Sequence, residues 1–172
     1  MPLMMNIKLE GLTGDSTSYS HKGWADIYSW NWGMVSNRKN ASQNDGDRTT
    51  LNEMSIVKSI GSDSTEIRRL FSEGKIISTV DISIIPIVGQ REAPEKYLQI
   101  HMEDVIIKSI VTGGNNEENF FKEHITLLYD RIKFEFSKNA PLTSDGAQAK
   151  SEDFLFSWDV TGNNQWEQKV PA

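Results

Sequence analysis

The chain has 172 residues, enough for one domain with one substantial core, which at this size buries roughly 70% of the surface the unfolded chain exposes. Its formal charge of −6 is spread along the sequence without a basic block, so the electrostatic footprint of a nonspecific nucleic-acid binder is missing. Cysteine is absent, which excludes a disulfide framework, a thiolate nucleophile and a zinc site of the Cys type.

The first ten residues carry neither a basic n-region nor a long apolar h-region, so the signal-peptide reading fails. Export, if it occurs, is expected to use a route that reads no cleavable N-terminal signal. The most apolar run, 82–88, is too short for a membrane span and contains Ser83 and Pro86, so no membrane insertion is expected. Ile7 and Leu9 predict a first short strand. The second, over 24–34, holds three of the five tryptophans: Trp24, Trp30 and Trp32 share one parity with Tyr28. Side chains on a strand alternate faces, so Ala25, Ile27, Ser29 and Asn31 are expected on the opposite, slimmer face. The bulky face is expected in the core, with Trp30 and Trp32 as anchors and Trp24 less firmly placed near the strand start. The slim face is then left for solvent, a ligand or a channel.

A polar stretch over 36–50 follows. Loops beyond about 12–15 residues are usually functional or disordered. Within it, Asn40-Ala41-Ser42 matches a glycosylation pattern that reads as chance without a secretory signal. Asn44-Asp45-Gly46-Asp47 lacks the order of a calcium loop. A third strand is expected over 51–60. Asp63 and Glu66 then resemble a capping box ahead of Ile67, Leu70 and Phe71, with Gly74 closing a short helix on the outside of the sheet core. Ile76, Val80, Ile82 and Ile84 alternate with Thr79, Asp81 and Ser83 in a fourth strand. The fifth, over 97–111, runs Leu98, Ile100, Met102 and then switches parity to Val105, Ile107, Val111, which predicts a bulge near Glu103-Asp104. After a hairpin-like turn over 112–118, the stretch 124–136 switches in the same way at Asp130-Arg131. Phe154, Phe156, Trp158 and Val160 close the pattern ahead of a tail over 162–172. Long strands with switches midway predict a mainly β fold, a curved barrel with one short outer helix, in a single domain over 1–172.

Little points to catalysis. His21, His101 and His124 are far apart and fall in no ligand pattern. The adjacent carboxylates Glu103-Asp104 would face opposite ways on a strand, and Glu117-Glu118 read as a solvated turn. Nucleophile-elbow, phosphate-loop and Ser/His/Asp signatures are missing. No enzyme activity, metal or cofactor is expected. Exposed tryptophans could stack on sugar rings in a monomeric carbohydrate-binding β-module, against the plainer reading that they fill the core.

The sequence resembles the Hcp (haemolysin-coregulated protein) family, the tube protein of bacterial type VI secretion systems. The resemblance rests on Ile7-Lys8-Leu9, Gly14-Asp15-Ser16, His21, the strand end Ser29-Trp30-Asn31-Trp32-Gly33-Met34, Lys58-Ser59-Ile60 and Asp63-Ser64-Thr65. It continues through the segment 105–118, Glu123-His124-Ile125-Thr126-Leu127 and Phe156-Ser157-Trp158-Asp159-Val160. It implies a barrel like that of phage tail tubes, assembling as homo-hexameric rings that stack into a hollow tube. A contractile sheath and baseplate would surround it and a VgrG-type spike would tip it. The subunit would be cytoplasmic before firing and secreted afterwards, with small effector proteins in the lumen. A prophage-type tail tube is the near alternative. The resemblance also places a lumen position on Asn31. Parity adds Ser29 on the same face, with Ile27 as a third. The 36–50 stretch would be the loop that reaches a neighbouring ring, through Asn40, Asn44, Asp45, Asp47 and Arg48.

Overall fold

The computed structural model describes residues 3–36, 50–88, 91–92, 97–114, 121–138 and 152–166. Strands β1 (Leu3–Leu9), β2 (Ala25–Asn31), β3 (Met34–Val35), β4 (Thr50–Leu51) and β5 (Met54–Ser59) precede a single helix among these residues, α1 (Ser64–Glu73). Strands β6 (Ile77–Val88), β7 (Arg91–Glu92), β8 (Leu98–Gly113), β9 (Lys122–Leu128), β10 (Arg131–Lys138), β11 (Glu152–Asp159) and β12 (Asn164–Gln165) follow it. All pairings are antiparallel. They run β8-β9-β5-β2-β1-β6, and β6 pairs back onto β8 to close a barrel. This bears out the expected mainly β barrel with one short helix. β10, β11 and β12 continue outward from the first half of β8, and β3 pairs with β4 alone. The loop residues Asn40, Asn44, Asp45, Asp47 and Arg48, the turn pair Glu117-Glu118 and the end of the tail lie outside the described residues.

Isoleucine dominates the interior: Ile7, Ile56, Ile82, Ile100, Ile125 and Ile132 are all essentially inaccessible. β-Branched side chains pack well on a pleated surface that is buried on one face. Met54 and Met102 fill the space between them.

β8 belongs to two walls of the barrel because the sheet turns a corner midway along it. Its inward residues switch from Ile100 and Met102 to Val105 and Ile107, at the place the sequence predicts. The device differs from the expected bulge. The register with β6 is unchanged from Val80↔Met102 to Ile77↔Val105, so no residue is inserted. Instead Asp104 adopts a left-handed backbone with φ 53°, which re-aims the strand without lengthening it; Asp is among the few residues that enter this region readily. β6 switches in the same row, from Ile77 to Val80. So does the β9–β10 line, from Tyr129 to Ile132, interrupted at Tyr129 and Asp130. True register shifts lie elsewhere, between Ile107 and Ser109 in β8 and between Ile27 and Ser29 in β2.

The helix ends as its sequence predicts and begins otherwise. Gly74 is left-handed at φ 62°, and Gly74 N–H and Lys75 N–H donate to Phe71 O and Leu70 O, closing a Schellman-type cap. Asp63 makes no side-chain cap hydrogen bond. Its carboxylate accepts from Lys58 Nζ at 2.9 Å instead, and Glu66 turns to Arg69. A buried ammonium outcompetes a backbone N–H for Asp63, so the capping box does not form. Ile67 is fully buried, while Phe71 is 43% exposed and stands off the expected apolar stripe.

Candidate functional site

The wall formed by β2, β5, β9 and the second half of β8 has an outer face that the core does not use. Register sets its side chains in rows. Asn31, Ser55, Thr126 and Ser109 stand opposite one another in one row. Ser29, Val57, His124 and Val111 form the next, and Ser59, Lys122 and Gly113 the third. Ser29, Asn31, His124 and Val111 are exposed; the rest of the first two rows is half-buried. Five of these eleven residues, Ser29, Ser55, Ser59, Ser109 and Thr126, are small and hydroxylated, and the backbone groups beneath them are paired in the sheet.

The shift in β2 decides which residues reach this face. Up to Ile27 the odd positions point inward, so Ala25 and Ile27 are buried at 6% and 5%. Tyr28 is then pushed out, 45% exposed, and hydrogen-bonds Ser59 Oγ at 2.7 Å through its hydroxyl. Beyond it the even positions, Trp30 and Trp32, turn inward and pack against the core cluster. Ile27 therefore does not stand with Ser29 and Asn31, as simple alternation expects; it is a core residue. Tyr28 likewise leaves the tryptophan face. The expectation of unbroken alternation fails because one extra residue in β2 inverts the parity of everything before it. Trp24 lies outside β2, edge-on to His21 with ring centroids 4.7 Å apart.

The tryptophans are fixed by specific contacts. Trp32 stacks at a tilt on Phe134, centroids 4.5 Å apart, and its indole N–H donates to the Tyr129 hydroxyl. That hydroxyl donates in turn to Asn52 O at 2.7 Å. Burial pushes the Tyr129 phenol up to about 12, so it stays a neutral relay between the end of β2 and the entry to β5.

Beneath α1 lies a buried ionic cluster. Lys58 Nζ contacts Glu123 Oε1 at 2.8 Å and Asp63 Oδ1 at 2.9 Å, and donates to Ser59 O at 2.8 Å. Ser64 Oγ donates to Glu123 at 2.7 Å. Arg68 Nη2 stands 3.1 Å from the other Glu123 oxygen, an ion pair outside hydrogen-bond geometry. Two cations face two carboxylates, so the cluster is neutral in sum, and it ties the helix to β5 and β9. Lys58-Ser59-Ile60, Asp63-Ser64-Thr65 and Glu123-His124-Ile125, three of the fragments that carry the sequence resemblance, meet here. Sequence reasoning does not find this cluster, because its members are up to 65 residues apart. A lysine and a glutamate at otherwise inward positions of β5 and β9 are the only local signal.

The other candidates stay apart. His21 is buried beside Ser20, with Oγ and Nδ1 2.7 Å apart. His101 pairs with Asp81 on the opposite wall, and His124 lies on the outer face described above. Glu103 pairs with Arg131 at 3.0 Å, and its neighbour Asp104 is half-exposed at the corner. Among the described residues no group of three metal-ligating side chains comes together.

Comparison with known proteins gives a consistent answer. The profile of the family described as "Type VI secretion system effector, Hcp" matches residues 6–136. Protein hcp1 of Pseudomonas aeruginosa is 25% identical over 167 residues, which is 96% of this chain and 99% of that protein. Among solved structures, one described as a type six secretion system protein superposes with a TM-score of 0.81 at 16% identity, covering 96% of this chain and 100% of that one. Hcp1 from Salmonella typhimurium gives 0.72 at 18% identity over the same shares. The structural likenesses show the fold, and the profile, spanning most of the chain, shows the kinship: this chain belongs to the Hcp family of type VI secretion system proteins.

Proposed function

We propose that this chain is the tube subunit of a type VI secretion system. In this reading it works by self-assembly rather than catalysis. Six copies close into a ring, rings stack into a hollow tube, and the contractile sheath and baseplate drive the tube out behind a VgrG-type spike with small effector proteins inside. The subunit waits in the cytoplasm and is secreted on firing. Closed rings need heterologous interfaces, in which one patch meets a different patch on the next copy.

The observation that carries the reading is the row-by-row outer face of β2, β5, β9 and β8. The wall gives its inner side chains, such as Ile56, Ile125 and Leu127, to the core, which leaves its outer face free to line a channel. Small hydroxyl and amide side chains such as Ser29, Asn31, Ser55, Ser109 and Thr126 suit a surface over which folded cargo must slide. Asn31 and Ser29 are the lumen residues of this reading, and the loop carrying Asn40, Asn44, Asp45, Asp47 and Arg48 makes the contacts between rings. Substituting Asn31→Gln adds bulk to the lumen. Rings should persist while co-purified cargo falls. Intact rings with unchanged cargo contradict the lumen assignment.

A further inference from the structure

The opposite wall of the barrel carries its charges in register. On its outer face Asp81, His101, Lys133 and Ser157 stand opposite one another across β6, β8, β10 and β11, and Thr79, Glu103, Arg131 and Asp159 form the next row. His101 sits between two carboxylates: Nδ1 lies 2.6 Å from Asp81 Oδ1 and Nε2 lies 3.6 Å from Glu103 Oε1. Only the protonated ring carries an N–H toward each; the neutral ring turns a lone pair on one of them. Arg131 closes the group, 3.0 Å from Glu103, 3.3 Å from Asp159 and 3.8 Å from Asp104. Lys133, opposite His101 on β10, pairs with Glu135 at 3.3 Å, and Lys8 of β1, opposite Asp81, donates to the carbonyls of Leu12 and Gly23.

The last described residues, 160–166, lie over this group. Gly162 N–H donates to Asp159 Oδ1 at 2.7 Å and fixes the turn, in which Asn163 is left-handed at φ 51°. β12 then pairs with β11 through only Trp158↔Gln165 and Asp159↔Asn164, and both Asn164 and Gln165 are exposed. So short a ribbon is marginal by itself. Trp166 supplies its anchor: the indole stacks on His101 with centroids 6.1 Å apart, the Arg131 guanidinium carbon lies 6.0 Å from the indole centre, and the Trp166 carbonyl accepts from Ser157 Oγ. We propose that residues 160–166 form a pH-operated latch: with His101 protonated, Trp166 holds β12 on the edge of β11, and loss of that proton releases it. The neutral ring forfeits the attraction of a cation for the indole face and turns its lone pair on Glu103. Arg131 alone then holds the indole, shared among three carboxylates. The hydrogen bond to Asp81, the largest influence, raises the imidazole above its ordinary 6.5, so the latch is closed in acid and loosens as pH rises through the raised value. Opening uncovers the β11 backbone from Ser157 to Asp159, a strand edge of the kind that recruits further strands.

The test is hydrogen exchange of the purified protein at about pH 5.5 and about pH 8.5, either side of the histidine range, with rates corrected for the intrinsic pH dependence of amide exchange. Opening of 157–166 should rise roughly two- to fivefold at the higher pH, the scale of one exposed cation–π contact, while β9 stays protected. His101→Gln, neutral throughout, should leave this segment open at both pH values. Trp166→Leu, which leaves the barrel core untouched, should do the same. A wild-type segment whose opening ignores pH, a pH response that survives His101→Gln, or a Trp166→Leu segment as protected as wild type overturns the latch. Should His101→Gln unfold the barrel, seen as lost protection in β9, the wild-type response and Trp166→Leu still decide.

Discussion

Lys58 and Glu123 meet at 2.8 Å beneath the helix, with side chains 1% and 0% exposed. Removing one partner strands the other's charge in a dry interior, which typically costs about 3–5 kcal/mol. Glu123→Leu and Lys58→Met should therefore each lower the denaturant midpoint sharply. The double substitution should cost clearly less than the sum of the two. Additive losses in a double-mutant cycle would show that the pair is not coupled.

Asp104 holds φ 53° at the corner of the barrel. Asp104→Gly should be near neutral, since glycine enters this region freely. Asp104→Val should cost about 1–3 kcal/mol, the range of a residue held in a sparsely populated backbone region. Equal unfolding midpoints for the two variants would contradict a left-handed backbone at this position.

Gly14 packs where a Cβ would lie 2.5 Å from the Trp24 carbonyl oxygen, and its N–H donates to Gly23 O at 2.9 Å. The atoms a Cβ would meet all belong to the Trp24–Ala25 peptide, so no flexible side chain can move aside. Gly14→Ala should destabilise by roughly 1–3 kcal/mol, with the loss seen in thermal unfolding. An unchanged melting temperature would contradict the close approach of Gly14 to the Trp24 carbonyl.

How much of this was legible in the sequence varies residue by residue. Alternation places the strands because one-sided burial forces period two, and Gly74 marks the helix end because a left-handed cap favours a residue without Cβ. The parity switch at Glu103-Asp104 is visible as well, though its mechanism is not: an inserted residue and a left-handed one both invert a strand's faces. Tyr28 could not be read correctly. Its ring suits a core as well as a surface, and only pairing with β5 reveals that it is the extra residue, which is why alternation alone groups Ile27 with Ser29 and Asn31. The Asp63 cap failed for a related reason. Local sequence shows the helix start but not Lys58 arriving from the neighbouring strand.

His101 offers a pH dependence with a definite sign. Its Nδ1 lies 2.6 Å from Asp81 Oδ1, and this hydrogen bond, the largest influence, raises the imidazole above its ordinary 6.5 despite partial desolvation, with Glu103 adding to the rise. A group whose folded value is raised stabilises the fold most when protonated in both states. Its contribution is complete below about pH 6.5 and is lost as pH rises through the raised folded value. His101→Gln should flatten that part of the stability profile. Trp166, stacked on His101 with centroids 6.1 Å apart, should report the same titration by fluorescence. A wild-type profile that gains stability across this window, or one that the substitution leaves unchanged, would contradict the assignment.

A tube subunit acts by assembling into rings, and native mass spectrometry of the purified full-length protein reads that assembly state. The expected result is a homogeneous species of six copies of the 19.5 kDa chain, seen as rings by negative stain. A stable monomer whose tryptophan fluorescence responds to polysaccharide would contradict it and return the chain to the sugar-binding reading.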